Sequence, residues 1–270
     1  MTLSKRILLA FEEFVFRLIT KTKGNLYCRL FNFFSRLHGH NASIIHDKGI
    51  YFVKEKNWRF IHRRQGLMAY HKGLKERAAI LKKVYLVDTI SFADGDVILD
   101  CGANNGDFRL CFGDNIQYYG IEPSPVVFSN LKHNVRNGEV LNKGLWFENS
   151  SLDFYLSDAY GDSSIIEPPT YTEKVSIETI TLDALIEEIG KPIKLLKLEA
   201  EGAEPEILKG LKKHLRSVEY VSIDVGFERG LKQESTLVPC ANYLLKHGFE
   251  LVDFRTERLV VLYRNKQEKT

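Results

Sequence analysis

The residues best suited to chemistry sit in two short segments. The first is Asp100-Cys-Gly-Ala-Asn-Asn-Gly106, directly after the apolar run Val97-Ile98-Leu99. A loop at the carboxyl end of a strand is where an open α/β sheet takes its ligand. Gly102 permits a tight turn there, and Gly106 lets the helix that the loop is expected to open approach the sheet. Ala103 and Asn104 fill the turn between them. Glu122 follows Asp100 by ~22 residues, close to the ~20 expected of an acid that accepts from a ribose diol. A carboxylate at that place suits both ribose hydroxyls and repels a 2′-phosphate, so the expected ligand is a nucleoside with an unphosphorylated ribose.

The second segment is Lys197-Leu-Glu199-Ala-Glu201-Gly-Ala-Glu204. Glu204 falls at a helix start, where the positive dipole end favours a carboxylate. Pro205 beside it fits the first-turn preference. Glu199 and Glu201 are not explained by capping. A carboxylate there can orient an acceptor hydroxyl or take its proton, a contribution of ~10²–10⁴-fold. Lys197 either pairs with these acids or acts on the acceptor. Asp224, near the end of a later strand, faces the same rim. The grouping leaves open a divalent metal, since carboxylate oxygens suit Mg²⁺. The loop Asp162-Ser163-Ser164 is either a cover for the site or an ordinary polar loop, and His133 and His214 read as surface residues.

The elements that must hold these residues read as strands alternating with helices from Asp96 onward. Strands are expected over 97–99, 118–121, 140–141, 175–180, 193–198 and 218–225. A hairpin is expected over 145–156, with Asn149-Ser150 near its turn, and a closing hairpin over 249–254 and 259–263. Helices are expected over 72–90, 126–137, 182–189, 203–211 and from the Ser235 cap to about His247. Thr181 is an N-cap, and Gly190 and Gly248 are stops. Alternation of this kind means a mostly parallel sheet covered on both faces.

Before Gly73 the pattern changes. Leu3, Ile7, Phe11, Phe14 and Leu18 share one helix face, and a second stretch from Leu26 to Leu37 is aromatic and basic. Two acids interrupt the first apolar run and no small-x-small site follows, which argues against a signal peptide. These helices are expected to pack on the main domain or a second subunit, or to lie on a membrane surface. Residues 1–70 are therefore read as a helical, basic appendage and 71–270 as the catalytic domain. The location expected is cytoplasmic, with peripheral contact at the inner face of the membrane as the variant.

Composition sets outer limits. With 270 residues, 44% apolar and 27% charged, the chain is globular. Thirty-eight basic against 35 acidic side chains leave +3, too little to imply nucleic acid binding through a global field. No apolar run approaches the ~18 residues of a membrane span. Four scattered cysteines with no CxxC spacing read as reduced, buried thiols.

The loop discriminates between cofactors. A dinucleotide calls for G-x-G-x-x-G, so that pyrophosphate rests on glycine backbone. Here an acid leads the loop, which suits the ammonium and sulfonium of S-adenosylmethionine. The blocks DVILDCGANNGDF, YYGIEPSP, TLDAL and LLKLEAEGAEPEILKG, in this order, resemble the FkbM family of S-adenosylmethionine-dependent methyltransferases. The resemblance covers roughly residues 73–263. It implies the class I methyltransferase fold, a seven-stranded Rossmann-like sheet with its last strand antiparallel. It also implies O-methylation, commonly of sugar hydroxyls in polysaccharides or natural products. Residue by residue it places Asp100, Gly102, Ala103, Asn104 and Gly106 in the cofactor loop, Glu122 on the ribose, and Lys197, Glu199, Glu201, Gly202 and Glu204 in the signature block. The family usually carries Asp where this chain has Glu199. A nucleoside-binding module without catalysis and a dinucleotide-dependent oxidoreductase are the alternatives.

Overall fold

The computed structural model describes residues 15, 17–40, 42–60, 69–157 and 162–266. Leu3, Ile7, Phe11 and Phe14 of the expected first helix lie outside that set. The chain divides into two compact units, Met1–Ala78 and Ala79–Thr270.

In the first unit the helix Gly24–Leu37 is followed by a three-stranded antiparallel sheet, β1 (Ile44–Asp47), β2 (Ile50–Val53) and β3 (Trp58–Phe60). The sheet adds to the helical appendage read from sequence. Helix and sheet are joined by side chain and main chain together. Asn32 donates from Nδ2 to the Ile44 carbonyl at 2.9 Å and accepts the Ile44 N–H at 2.7 Å. Tyr27, fully buried, packs edge-on against Tyr51 with ring centroids 5.3 Å apart. The inward face of the helix, Tyr27, Cys28, Phe31 and Ser35, repeats at three and four residues, so one stripe is buried.

The second unit is built on a seven-stranded sheet. Its members are β4 (Val97–Cys101), β5 (Gln117–Ile121), β6 (Glu139–Leu141), β10 (Ile193–Leu198), β11 (Val218–Asp224), β12 (Phe249–Phe254) and β13 (Val260–Asn265). Their spatial order is β12-β13-β11-β10-β4-β5-β6. Each pairing is parallel except those of β13, which runs antiparallel to both neighbours. That is the class I methyltransferase sheet. The chain runs outward from β4 to β6 and returns beside β4 as β10, which makes the β4–β10 boundary the topological switch point.

Strand alternation sorts the side chains. Val97, Leu99 and Cys101, Leu196 and Leu198, and Val221 and Ile223 share one core with the helices Leu182–Ile189, Glu204–Lys209 and Leu237–Lys246. The alternate residues, Asp100 on β4, Tyr118 on β5, Lys197 on β10, and Ser222 and Asp224 on β11, go to the other face. The helix Pro125–Asn134 covers part of that face, its Leu131 lying 3.4 Å from where a Cβ of Gly120 would stand. The helix Leu182–Ile189 begins and ends as read: Thr181 accepts from the Ala184 N–H at 3.1 Å, and Gly190 closes it at φ 63°.

Two expectations fail. No hairpin forms over 145–156. β7 (Gly144–Leu145) and β8 (Ser151–Leu156) both pair with β9 (Glu173–Ile180), which stands between them. Asn149 leads away from a turn, donating nothing to β8 and accepting the Thr181 N–H at 2.9 Å through Oδ1. After Gly106 a 3₁₀ turn, Asp107–Cys111, stands in place of a helix.

Candidate active site

Register explains how the acids meet. Lys197 is paired with Asp100 on one side and with Ser222 on the other. Adjacent residues on one face of a sheet have neighbouring side chains, so the Lys197 Nζ lies 3.0 Å from the Asp100 carboxylate. The same Nζ lies 3.0 Å from Glu199 Oε2 and donates to the Gly102 carbonyl at 2.8 Å. Tyr118 donates its hydroxyl to the other Asp100 oxygen. Asp100 is completely buried and Lys197 nearly so. Burial pulls the lysine pKa down, but Asp100 and Tyr85 outweigh it and the ammonium is held charged. Asp100 and Lys197 are thus paired with each other behind the loop, and Lys197 ties into it through the Gly102 carbonyl.

The loop itself depends on two glycines. Gly102 has φ 75°, and a Cβ on it would lie 1.8 Å from the Glu199 carbonyl oxygen, so the loop rests flush on the end of β10. Gly106 has φ 86°, and a Cβ there would meet Val135 at 2.8 Å and Leu131 at 3.0 Å. Between them Ala103 is buried, and Asn104 takes the left-handed conformation at φ 49°. This aims the Asn104 N–H at Glu122 Oε2, 3.0 Å away, while the Ser124 N–H donates to Oε1 at 2.9 Å. Glu122 therefore stands at the end of β5 held by main chain, with no ion pair among the described residues. Burial raises its carboxyl to about 7, against the pull of those two N–H groups. Each carboxylate oxygen keeps a further lone pair for a hydroxyl donor. An acid of this kind beside a glycine loop with no basic side chain fits a ribose diol and not a pyrophosphate.

Past β10 the acids divide. Glu199 is fully engaged: Tyr85 and Lys197 approach Oε2 and Arg258 approaches Oε1. Asp224 accepts from the Gly226 N–H at 3.1 Å through Oδ1 and from Arg258 Nε through Oδ2. Burial and the Glu228 charge push Asp224 up to about 7, while the guanidinium favours its ionised form. Glu204 stands at the helix start as expected but turns inward, its Oε1 accepting from the Ala200 and Gly202 N–H groups of the loop before the helix. Glu201 differs from all of these. Its backbone is left-handed at φ 49°, its carbonyl is pinned by the buried Ser164 hydroxyl at 2.8 Å, and its carboxylate makes no side-chain hydrogen bond among the described residues. Burial, with Asp162 and Glu228 nearby, pushes the Glu201 carboxyl well above the ordinary range.

Tyr85, Tyr118 and Arg258 were not among the residues picked from sequence. Tyr85 reads there as an apolar helix position; its ring underlies both Lys197 and Arg258, at 5.1 and 5.7 Å. Arg258 does have a readable signal. β13 folds back along β11 with Val260 opposite Asp224, so a cation two residues before Val260 returns to the acid-bearing end. Ser164 comes from the polar loop read as undecided, and it anchors Glu201. Among the described residues, no group of three or more His, Cys, Asp or Glu side chains is arranged to hold a metal ion. The four cysteines are free and buried.

A seven-stranded sheet with β13 reversed, a glycine loop on its switch point and a ribose-type acid on the next strand together define a nucleoside-binding protein of the class I methyltransferase type. The family model for the Methyltransferase FkbM domain matches residues 100–251, more than half of the chain, and the protein belongs to that family. Among curated proteins, the Hexuronic acid methyltransferase AglP of Haloferax volcanii is 32% identical over 145 residues, 49% of this chain and 56% of that protein. Methyltransferase 1 of Beauveria bassiana is 27% identical over 173 residues, 53% of this chain and 70% of that protein. The chain thus spans little more than half the length of the first of these relatives. Among solved structures, a putative rRNA-methylase from Clostridium thermocellum overlaps at a TM-score of 0.45 and 12% identity, covering 70% of this chain and 97% of that one.

Proposed function

We propose that residues 71–270 form an S-adenosylmethionine-dependent O-methyltransferase domain acting on a sugar hydroxyl of a glycan or glycosylated natural product. The observation that carries this reading is the pairing of two unlike acids across the switch point. Glu122 is held by backbone N–H groups beside a glycine loop, and Glu201 carries a carboxylate without a hydrogen-bond partner among the described residues. The relative named for hexuronic acid methylation supports a sugar as acceptor.

When bound, S-adenosylmethionine supplies an electrophilic methyl group on a sulfonium. Gly102, Ala103, Asn104 and Gly106 form the loop that would hold it, with Glu122 accepting from the ribose hydroxyls. Lys197 and Asp100 fix that loop from behind. Glu201, in its ionised form, accepts the proton of the acceptor hydroxyl at a carboxylate oxygen, and burial with the Asp162 and Glu228 charges raises its affinity for that proton. Asp224 and Glu199 are joined through Arg258 and act on the acceptor through it. Holding the hydroxyl in line contributes the rest. A metal is not used in this reading.

A labelled-methyl transfer assay across neutral and acidic glycans tests the proposal, with Glu201→Gln as the control. Binding of S-adenosylhomocysteine without transfer to any acceptor would favour the non-catalytic reading. Stronger binding of a nicotinamide dinucleotide would favour the oxidoreductase. The location proposed is cytoplasmic, with the first unit making a contact beyond the domain, to a membrane surface or a second copy.

A further inference from the structure

The helix Gly24–Leu37 has two apolar faces, and among the described residues only one of them is buried. Tyr27, Cys28, Phe31 and Ser35 are buried. Leu26, Leu30, Phe33 and Leu37 recur at four, three and four residues, and at ~100° per residue they fall within about 60° of one another, opposite the buried stripe. Leu26, Phe33 and Leu37 are 56%, 60% and 66% exposed. The helix cannot roll to hide them, because Asn32 ties it to Ile44 through two hydrogen bonds and the Gly24 N–H donates to the Tyr51 hydroxyl at 2.8 Å. No helix among the described residues is long and apolar enough to cross a membrane.

Charge identifies what covers this face. Residues 21–40 contain Lys21, Lys23, Arg29 and Arg36 and no acid. All four cations are exposed. A two-fold contact between copies presents the same patch to itself, so it would set these cations against each other with no carboxylate on the helix to offset them. Four apolar side chains also fall well short of the ~800 Å² per partner of a stable interface. A lipid surface bearing anionic headgroups takes both components at once: the leucines and phenylalanine enter the headgroup boundary and the cations meet the phosphates.

We infer that the outward face of the helix Gly24–Leu37 docks the protein on an anionic membrane surface, lying in the interface without crossing it. The inference is independent of the acceptor. The test is flotation of the full chain with vesicles of phosphatidylserine and phosphatidylcholine, against vesicles of phosphatidylcholine alone. The protein is expected to float with the first and not the second, and to be released by salt. Phe33→Asp with Leu37→Asp is expected to abolish flotation, and Arg29→Glu with Arg36→Glu to weaken it about tenfold or more. Both pairs are exposed, and an unchanged circular dichroism spectrum and thermal melt of the full chain confirm that the first unit stays folded. No flotation by the unaltered chain overturns the inference, as does flotation untouched by both double variants. A dimer in sedimentation that Phe33→Asp dissociates, without vesicle binding, overturns it in favour of self-association.

Discussion

Glu122 at the end of β5 and Glu199 at the end of β10 stand on the same edge of the sheet, on either side of β4, yet their carboxylates are held differently. Two backbone N–H groups hold Glu122. Tyr85, Lys197 and Arg258 hold Glu199. Main-chain donors leave the Glu122 charge unneutralised and its carboxyl raised, ready for hydroxyl donors that weaken the burial cost. Cationic side chains satisfy Glu199 and leave it little to offer a ligand. The difference teaches that a rim rich in acids need not be rich in bases. On the β10 side only Glu201 has a carboxylate in that open condition among the four residues first proposed as catalytic.

The comparison can be broken most severely at the seam between the two rims. Gly102→Ala would place a Cβ 1.8 Å from the Glu199 carbonyl oxygen on a backbone already at φ 75°. The loop must lift off β10, taking the Asn104 N–H from Glu122 and the Gly102 carbonyl from Lys197. The expected cost is more than about 4 kcal/mol in stability, or a folded protein that no longer binds S-adenosylhomocysteine. Denaturant melts and titration calorimetry on the variant check it. A Gly102→Ala protein of normal stability and affinity would show that the seam is slack.

On the acceptor side, Glu201→Gln is expected to lower turnover about 10²-fold or more while cofactor affinity stays within about 0.5 kcal/mol. Lys197→Met should instead disturb stability and cofactor binding, since it strands Asp100 in the interior. Turnover by the unaltered protein should rise with pH through the raised pKa of Glu201, above the ordinary carboxylate range. Glu228→Gln removes a negative neighbour and should move that limb to lower pH. Equal losses from Glu199→Gln and Glu201→Gln, with matching pH profiles, would erase the distinction.

On the cofactor side, Glu122→Ala should weaken S-adenosylhomocysteine binding by about 1.5–3 kcal/mol, the range for a hydrogen bond to a charged group. Affinity in the unaltered protein should fall as pH drops through about 7, where the carboxylate protonates. Stability moves the other way. The Glu122 pKa is raised from 4.5 to about 7, so its contribution is full below pH 4.5 and lost as pH rises through about 7. The total is up to about 3 kcal/mol. Glu122→Gln should flatten both dependences, and calorimetry across that pH window reads them together.

Sequence revealed the two rims unequally for a physical reason. The loop, Glu122 and the helix from Thr181 to Gly190 are encoded by neighbours: turn residues, caps and a fixed spacing along one βαβ unit. What Glu199 and Asp224 do is decided by Tyr85 and Arg258, which lie more than a hundred residues from one of the acids or in the loop of the closing hairpin. Spacing arguments cannot reach across such separations without the sheet order. The same limit explains the missed β7-β9-β8 pairing, where a strand from beyond the loop enters between two that look consecutive. The unpaired helix face at Leu26, Phe33 and Leu37 was half visible: its composition could be read, while which apolar stripe faces inward required Ile44 and Tyr51.

The smallest expected effect sharpens the comparison furthest. If the cofactor rim works through main chain, the Asn104 side chain should be dispensable although its N–H is not. Asn104 sits at φ 49°, where glycine is at no disadvantage and alanine costs ~1–2 kcal/mol. Asn104→Gly keeps the donor aimed at Glu122 Oε2 and should bind S-adenosylhomocysteine within about 0.5 kcal/mol of the unaltered protein, since glycine's main cost is the freedom it adds to the unfolded chain. Asn104→Ala keeps the N–H but strains the turn that aims it, and should lose affinity together with stability. Asn104→Pro lacks the donor altogether and should lose at least as much as Glu122→Ala. An affinity loss in the glycine variant as large as that in the alanine variant would mean that the Asn104 amide itself touches the ligand, and the contrast between a main-chain rim and a side-chain rim would fail at its clearest point.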